Sequence, residues 1–246
     1  MSASVLSKTL DVVVGWNKPP YVMSDADSGF ELELVRQILH ELGHEMRPVY
    51  VPMGRTMMMV AEGEVDMGLT MNLRHTINAT LLTDPYVIYQ NVAVTRQDRQ
   101  LDINSIDALA GHSVIAFQTA TEVLGPAFAR MIERTSGYLE VPEQRRQVSM
   151  LLLGSVDVAV LDRNIFTYLK GQLPDSQQHA TVIHELFSIS PYSAAIHDPV
   201  LREQFDEVLA EFIADGRYQA LLDRFGLVNL HDRLPAPDSQ FAEDKN

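Results

Sequence analysis

Between residues 30 and 42, the apolar positions Phe30, Leu34, Val35, Ile38, Leu39 and Leu42 recur at steps of three and four. That spacing puts them on one face of a helix. Gly29 stands at its start, and Gly43 stands where a left-handed residue stops a helix. Upstream, residues 12–14 are a short apolar run of strand type. Pro19-Pro20 follows it, and two prolines demand an extended turn. Downstream, residues 49–51 predict a second strand and residues 54–61 a second helix ending near Gly63. Residues 65–69 predict a third strand. Strand, helix, strand, helix, strand is the order of a doubly wound parallel sheet.

The pattern restarts after residue 95. Strands are predicted at Ser113–Phe117, 139–141 and 156–161, with helices at 122–133 and through Leu153. The two runs share a junction: Gly63-Glu64-Val65-Asp66-Met67 recurs as Gly154-Ser155-Val156-Asp157-Val158. In each, a glycine ends a helix and an aspartate sits three residues on, at the start of a strand. The match falls at the same point of both runs, which argues for two similar lobes rather than one continuous sheet. Residues 87–94, after Asp84-Pro85-Tyr86, predict a strand that carries the chain out of the first lobe. Residues 190–196 predict the return crossing, and the helices Pro199–Ala214 and Arg217–Phe225 should pack back on the first lobe. The expected architecture is therefore α/β and two-lobed, with two crossing hinge strands. Lobe one is residues 1–94 plus 190–231, and lobe two, inserted, is 95–189. The polar stretch 232–246, with two prolines, is expected to be disordered.

Composition narrows the function. Apolar residues make up 46% and charged residues 21% of 246 positions, an ordinary globular mix large enough for two cores. A net charge of −14 disfavours nucleic acid and anionic lipid as partners. With no cysteine, neither disulfides nor thiolate chemistry is available. No apolar run approaches the roughly 20 residues that span a bilayer. Residues 1–10 lack the apolar core of a secretory signal, which leaves open a cytosolic protein or one whose leader was removed.

Several short motifs, in order, resemble the family 3 extracellular solute-binding proteins, the amino-acid-binding components of ABC importers. They are Pro19-Pro20-Tyr21, Gly29-Phe30-Glu31-Leu32-Glu33-Leu34, Glu41-Leu42-Gly43, the Gly63 to Asp66 junction, Thr83-Asp84-Pro85-Tyr86, the Asp157 and Asp162 pair, and Ala214-Asp215-Gly216-Arg217-Tyr218. The resemblance covers residues 10–226. It implies a type II periplasmic-binding-protein fold that closes around a small polar solute such as an amino acid. It also implies a periplasmic location, ABC transporter membrane subunits as partners, a monomeric state, no cofactor and no catalysis. Two segments depart from the family pattern. Gly68-Leu69-Thr70-Met71-Asn72-Leu73-Arg74 is one residue short, and Thr119-Ala120-Thr121 replaces Gly-Ser-Thr. Both face the ligand in the family, so an unusual ligand is expected.

An amino-acid zwitterion needs a cation or N–H donors for its carboxylate and an anion for its ammonium. Arg74 offers a bidentate fork just past a strand's C-terminal end, where open α/β sheets bind ligands. Thr70 and Asn72 stand beside it, and the resemblance assigns Arg74 the α-carboxylate. Thr121, read as a helix N-cap before Glu122, would close lobe two over the same carboxylate, with Gln118 at the preceding strand end. Asp162 ends a strand and is placed to accept an ammonium, as its family counterpart does; it also fits a helix N-cap before Asn164. Trp16 and Tyr21 flank the prolines and could wall a ligand side chain, although core packing explains Trp16 as well. Asp66 and Asp157 read as structural.

One motif points elsewhere. His40-Glu41-Leu42-Gly43-His44 matches H-E-x-x-H, but the motif holds zinc only on a continuous helix, and Gly43 interrupts this one. No metal is expected. The runner-up function is a cyclohexadienyl or arogenate dehydratase-like enzyme on the same scaffold, with Glu33 or Glu122 as general acid. A third reading is the ligand-sensing module of a signalling system.

Overall fold

A computed structural model describes residues 7–234 apart from 76 and 136, and for Met53 the backbone only. In chain order it runs β1 (Thr9–Gly15), α1 (Phe30–Glu41), β2 (Glu45–Val51), α2 (Met53–Ala61), β3 (Met67–Met71) and β4 (Val87–Arg96). Then come β5 (Ser113–Phe117), α3 (Ala120–Val123), α4 (Pro126–Ile132), β6 (Gly137–Val141), α5 (Gln144–Leu152), β7 (Val158–Asp162) and α6 (Arg163–Gly171). The chain finishes with β8 (Thr181–His184), β9 (Ile189–Ile196), α7 (Pro199–Ala214) and α8 (Arg217–Phe225). It divides into two compact α/β units: the first runs to Ile88 and resumes at Ser190, and the second is Tyr89–Ile189. The first boundary falls inside β4, not after residue 94.

In the first unit, β1 pairs in parallel with β2 and β3, and β3 pairs antiparallel with β9. The stripe expected on α1 is buried from Phe30 to Leu39, and α7 and α8 pack against it. The start of α1 is fixed by backbone contacts. The Phe30 and Glu31 N–H groups donate to the Pro20 and Tyr21 carbonyls, 3.0 Å in each case. This satisfies donors that a helix N-terminus otherwise leaves unpaired. Gly29 makes the approach possible: its φ is +126°, and a Cβ there would stand 2.4 Å from the Tyr21 carbonyl oxygen. At the other end Gly43 is left-handed, with φ +78°, and His44 lies beyond the helix that carries His40.

In the second unit β4 pairs antiparallel with β7 and β8, while β5 lies parallel to both β6 and β7. Its core gathers Ala93, Leu109, Val114, Ala116, Phe128, Val158 and Val160. The helix expected over 122–133 is two helices. Gly125, with φ +83°, and Pro126 at the first helical position break it. Strand β8 was not foreseen, and helix α6 was foreseen only as the helix that Asp162 would cap before Asn164.

The repeated junction has the same job in both units. Asp66 accepts the Asp11 N–H at 2.9 Å, at the start of β1. Asp157 accepts the Ser113 N–H at 3.0 Å and its hydroxyl at 2.8 Å, at the start of β5. Each carboxylate ties one strand's start to its parallel neighbour. A 3-10 turn at His231–Arg233 occupies part of the stretch expected to be disordered, with the His231 ring edge-on to Tyr218 at 6.1 Å. The rest of that stretch, 235–246, lies outside the described residues.

Gly29→Ala should destabilise the first unit by on the order of 3 kcal/mol, combining backbone strain with a steric clash. Urea unfolding followed by circular dichroism checks this, and a loss under about 1 kcal/mol would show that the Tyr21 contact is loosely held.

Candidate functional site

Because β1 and β3 are parallel, their C-terminal ends share one edge of the first sheet. Trp16 directly follows β1 and is 58% exposed. Past β3, Arg74 lies in a short 3-10 turn, Leu73–His75, and Asn72 stands just before it, with its Oδ1 accepting the Arg74 N–H at 3.1 Å. Asn72 therefore shapes the turn, and Arg74 is exposed on it. His75 stacks on Tyr192 with ring centroids 6.3 Å apart. Burial, followed by Lys18 and Arg74, holds its imidazole below the ordinary histidine pKa. This edge is cationic.

Two residues assigned to the ligand are committed elsewhere. Tyr21 is fully buried, so its ring is a core element and not an aromatic wall. Thr70 is 2% exposed and left-handed, with φ +58°. Its N–H donates to the Tyr86 hydroxyl at 3.0 Å and its own hydroxyl donates to Glu31 Oε2 at 2.8 Å. The Tyr86 hydroxyl donates to the same Glu31 oxygen. Glu31 is wholly buried, and a buried carboxylate needs such donors. Thr70 supplies one of them and is not a ligand contact. Burial, then the Glu31 charge, pushes the Tyr86 phenol well above its usual pKa. The sequence carried a faint sign of this cluster: an acidic residue, Glu31, in the apolar stripe of α1.

In the second unit β5, β6 and β7 are parallel, so their C-terminal ends also share an edge. Gln118 is exposed in the turn after β5. Helix α3 begins at Ala120, with Thr119 left-handed before it at φ +67°. Thr121 is thus inside the helix and does not cap it. Its N–H, at 3.0 Å, and its hydroxyl both donate to Glu140 Oε1, on β6. Tyr138, two residues before Glu140 on the same strand face, donates its hydroxyl to that oxygen at 2.7 Å. The Thr119 N–H donates to Glu140 Oε2 at 2.8 Å. Partial burial raises the Glu140 carboxyl pKa, but the bonds from Thr121, Tyr138 and Thr119 outweigh it, and the net shift is downward. Glu140 escaped sequence reading because nothing in Leu139-Glu140-Val141 sets it apart from a surface strand residue.

Asp162 is 3% exposed. Oδ1 accepts the Asn164 and Ile165 N–H groups, at 2.9 and 3.0 Å, and Oδ2 accepts the Gln90 N–H at 3.0 Å. It is the N-cap of α6 and also ties that helix to β4. Beside it, the Arg163 Nη1 donates to Gln90 Oε1 at 2.7 Å and to Glu185 Oε1 at 2.8 Å. Sequence reading missed this pair. The expected residues thus gather at two edges, Trp16, Asn72 and Arg74 in one unit and Gln118, Thr121 and Asp162 in the other. Each is a carboxyl-terminal sheet edge, the kind of edge at which open α/β sheets bind ligands.

The family model for bacterial extracellular solute-binding proteins, family 3, matches residues 10–228. The chain belongs to this family. Its mixed α/β fold is that of the type II periplasmic binding proteins. The ligand-binding core of GluR0, in complex with L-glutamate, superposes with a TM-score of 0.70 at 18% identity, covering 91% of this chain and 99% of that one. An ancestral arginine-binding protein bound to arginine gives 0.66 at 22%, covering 88% and 97%. The ancestral amino-acid-binding protein AncCDT-1, a precursor of cyclohexadienyl dehydratase, gives 0.66 at 19%, covering 88% and 94%. No curated protein matches the sequence significantly. Among the described residues, no helix of this solute-binding protein is long and apolar enough to cross a membrane.

Asp162→Ala should cost about 2–4 kcal/mol of stability, since it removes a helix cap and leaves the Gln90 N–H buried without its acceptor. Asp162→Asn keeps one acceptor and should cost less. Chemical denaturation of both variants without added solute checks this, and two variants as stable as the parent would free Asp162 for a purely ligand-binding role.

Proposed function

We propose that this family 3 protein binds a small polar solute, an amino acid or a related small carboxylate, and delivers it to the membrane subunits of an ABC importer. On this reading it works in the periplasm as a monomer, without a cofactor and without chemistry on its cargo. The observation that carries the reading is the family match, which spans both units. The neighbours named for L-glutamate and arginine support the amino-acid class. Trp16, Asn72 and Arg74 are the proposed contacts in the first unit, and Gln118 in the second. Arg74 is assigned the solute carboxylate, because it is exposed at the sheet edge and a guanidinium can grip a carboxylate through two parallel hydrogen bonds. Ligand is proposed to select a closed conformation of the two units.

The dehydratase reading has less support. Glu33 is engaged by Ser28 at 3.3 Å and lies 3.8 Å from both Arg36 and Arg224, while Glu122 is exposed. Turnover of prephenate or arogenate would select that reading, and tight binding without turnover the transport or sensing one.

A thermal-shift screen against amino acids and small acids should find the solute, since a ligand at a hundredfold excess over Kd stabilises by about 2.7 kcal/mol. Calorimetry with that solute should then show Arg74→Ala weakening binding by roughly 30-fold or more with the unliganded melting temperature unchanged. Wild-type affinity in Arg74→Ala would remove the carboxylate assignment.

A further inference from the structure

The Glu140 cluster has the composition of a carboxylate-binding site, and its occupant is the protein itself. Two backbone N–H groups, from Thr119 and Thr121, and two hydroxyls, from Thr121 and Tyr138, converge on one carboxylate. Both oxygens are used. The cluster stands at the C-terminal ends of β5 and β6, the edge where an open α/β sheet meets its ligand. Thr119 adopts a left-handed backbone, which is uncommon for threonine. The Thr119 and Thr121 donors come from the turn and helix after β5, whereas Tyr138 and the acceptor Glu140 lie on β6, so local chain geometry alone does not dictate the Thr119 and Thr121 pairing.

We propose that Glu140 is a specificity-determining residue: by filling this donor set, it bars a solute carboxylate from the binding edge of the second unit. The consequence is chemical selection. A solute that approached with its carboxylate would find the N–H groups already satisfied and would meet a second negative charge. Like-charge apposition without a shared proton is unfavourable. Such a solute must direct its carboxylate to the other unit, so that a neutral or carboxylate-free portion is what the second unit accepts. The inference rests on the solute-binding reading and refines it.

The test compares wild type with Glu140→Ala against the twenty standard L-amino acids and their C-terminal amides, by calorimetry. Arg74 favours free acids in both proteins, so the informative quantity is the change in the acid-to-amide preference. Removing Glu140 should raise that preference about tenfold or more. An unchanged or lowered preference overturns the proposal while leaving the amino-acid reading intact. If no amino acid or amide binds either protein, the amino-acid reading is what fails, and sodium acetate with amide NMR then decides the inference. Acetate should shift the Thr119 and Thr121 amide resonances saturably in Glu140→Ala and not in wild type. A saturable shift in wild type, or none in the variant, overturns it. Should Glu140→Ala fail to fold, Glu140→Gln serves in both arms, because its amide nitrogen cannot accept the Thr119 N–H and leaves that donor open.

Discussion

The first unit is organised around a carboxylate that has no access to water. Glu31 lies in the first turn of α1, where its charge is favoured by the helix N-terminus, yet it is packed inside the core. Burying an ionised group is costly unless its oxygens are satisfied. Thr70 and Tyr86 answer that demand, and each belongs to a different element: the end of β3 and the Asp-Pro-Tyr segment before β4. The Tyr86 carbonyl in turn accepts from the Tyr218 hydroxyl of α8 at 3.1 Å, and the Tyr86 ring meets Phe205 of α7 edge-on. Helix α1, strand β3, the crossing segment and both C-terminal helices are thereby referred to one buried carboxyl oxygen, Glu31 Oε2. The exposed pairs Lys8–Asp66 and Arg36–Asp27 are weaker constraints, since solvent screens them.

That constraint decides which residues stay exposed at the sheet edge. Thr70 is drawn into the core with a left-handed backbone, and the chain leaves β3 through a tight turn closed by the Asn72 side chain. Arg74 consequently reaches the edge on a short 3-10 turn and not on a longer loop. The shortened Gly68 to Arg74 stretch thus has a physical counterpart: threonine inward, asparagine in the turn, arginine outward.

The elements that face a core were legible because burial imposes a period. The α1 stripe, the restarted pattern in the second unit and both C-terminal helices follow it. What was missed lacks that signal. Strand β8 alternates weakly, with two exposed apolar residues, Val182 and Ile183. Helix α6 is short, and its strongest cue was the cap residue Asp162, which reads equally as a ligand contact. The helix break was written in Gly125-Pro126 but outweighed by the flanking apolar residues. Sequence placed Trp16, Arg74, Gln118 and Asp162 at or just past strand ends, where the structure also has them, because strand ends are predictable. It could not say which polar groups were already partnered. Partnership depends on residues far away in the chain, such as Glu140 for Thr121, Gln90 for Asp162 and Glu31 for Thr70. No local pattern encodes those distances.

Several of the 33 acidic residues therefore have duties beyond solvation. Asp66 and Asp157 pin strand starts, Asp162 and Asp198 cap α6 and α7, and Glu140 collects four donors at the start of α3. In each case a carboxylate accepts backbone N–H groups that a helix or strand end leaves open. The two sheet edges end up with different characters as a result. The first unit's edge keeps a cationic side chain, Arg74, on an exposed turn. The second unit's edge holds carboxylates, Asp162 and Glu140, whose neighbouring amides are already engaged. On the proposed function, Arg74 would orient a solute carboxylate, and Glu140 would limit what the second unit accepts.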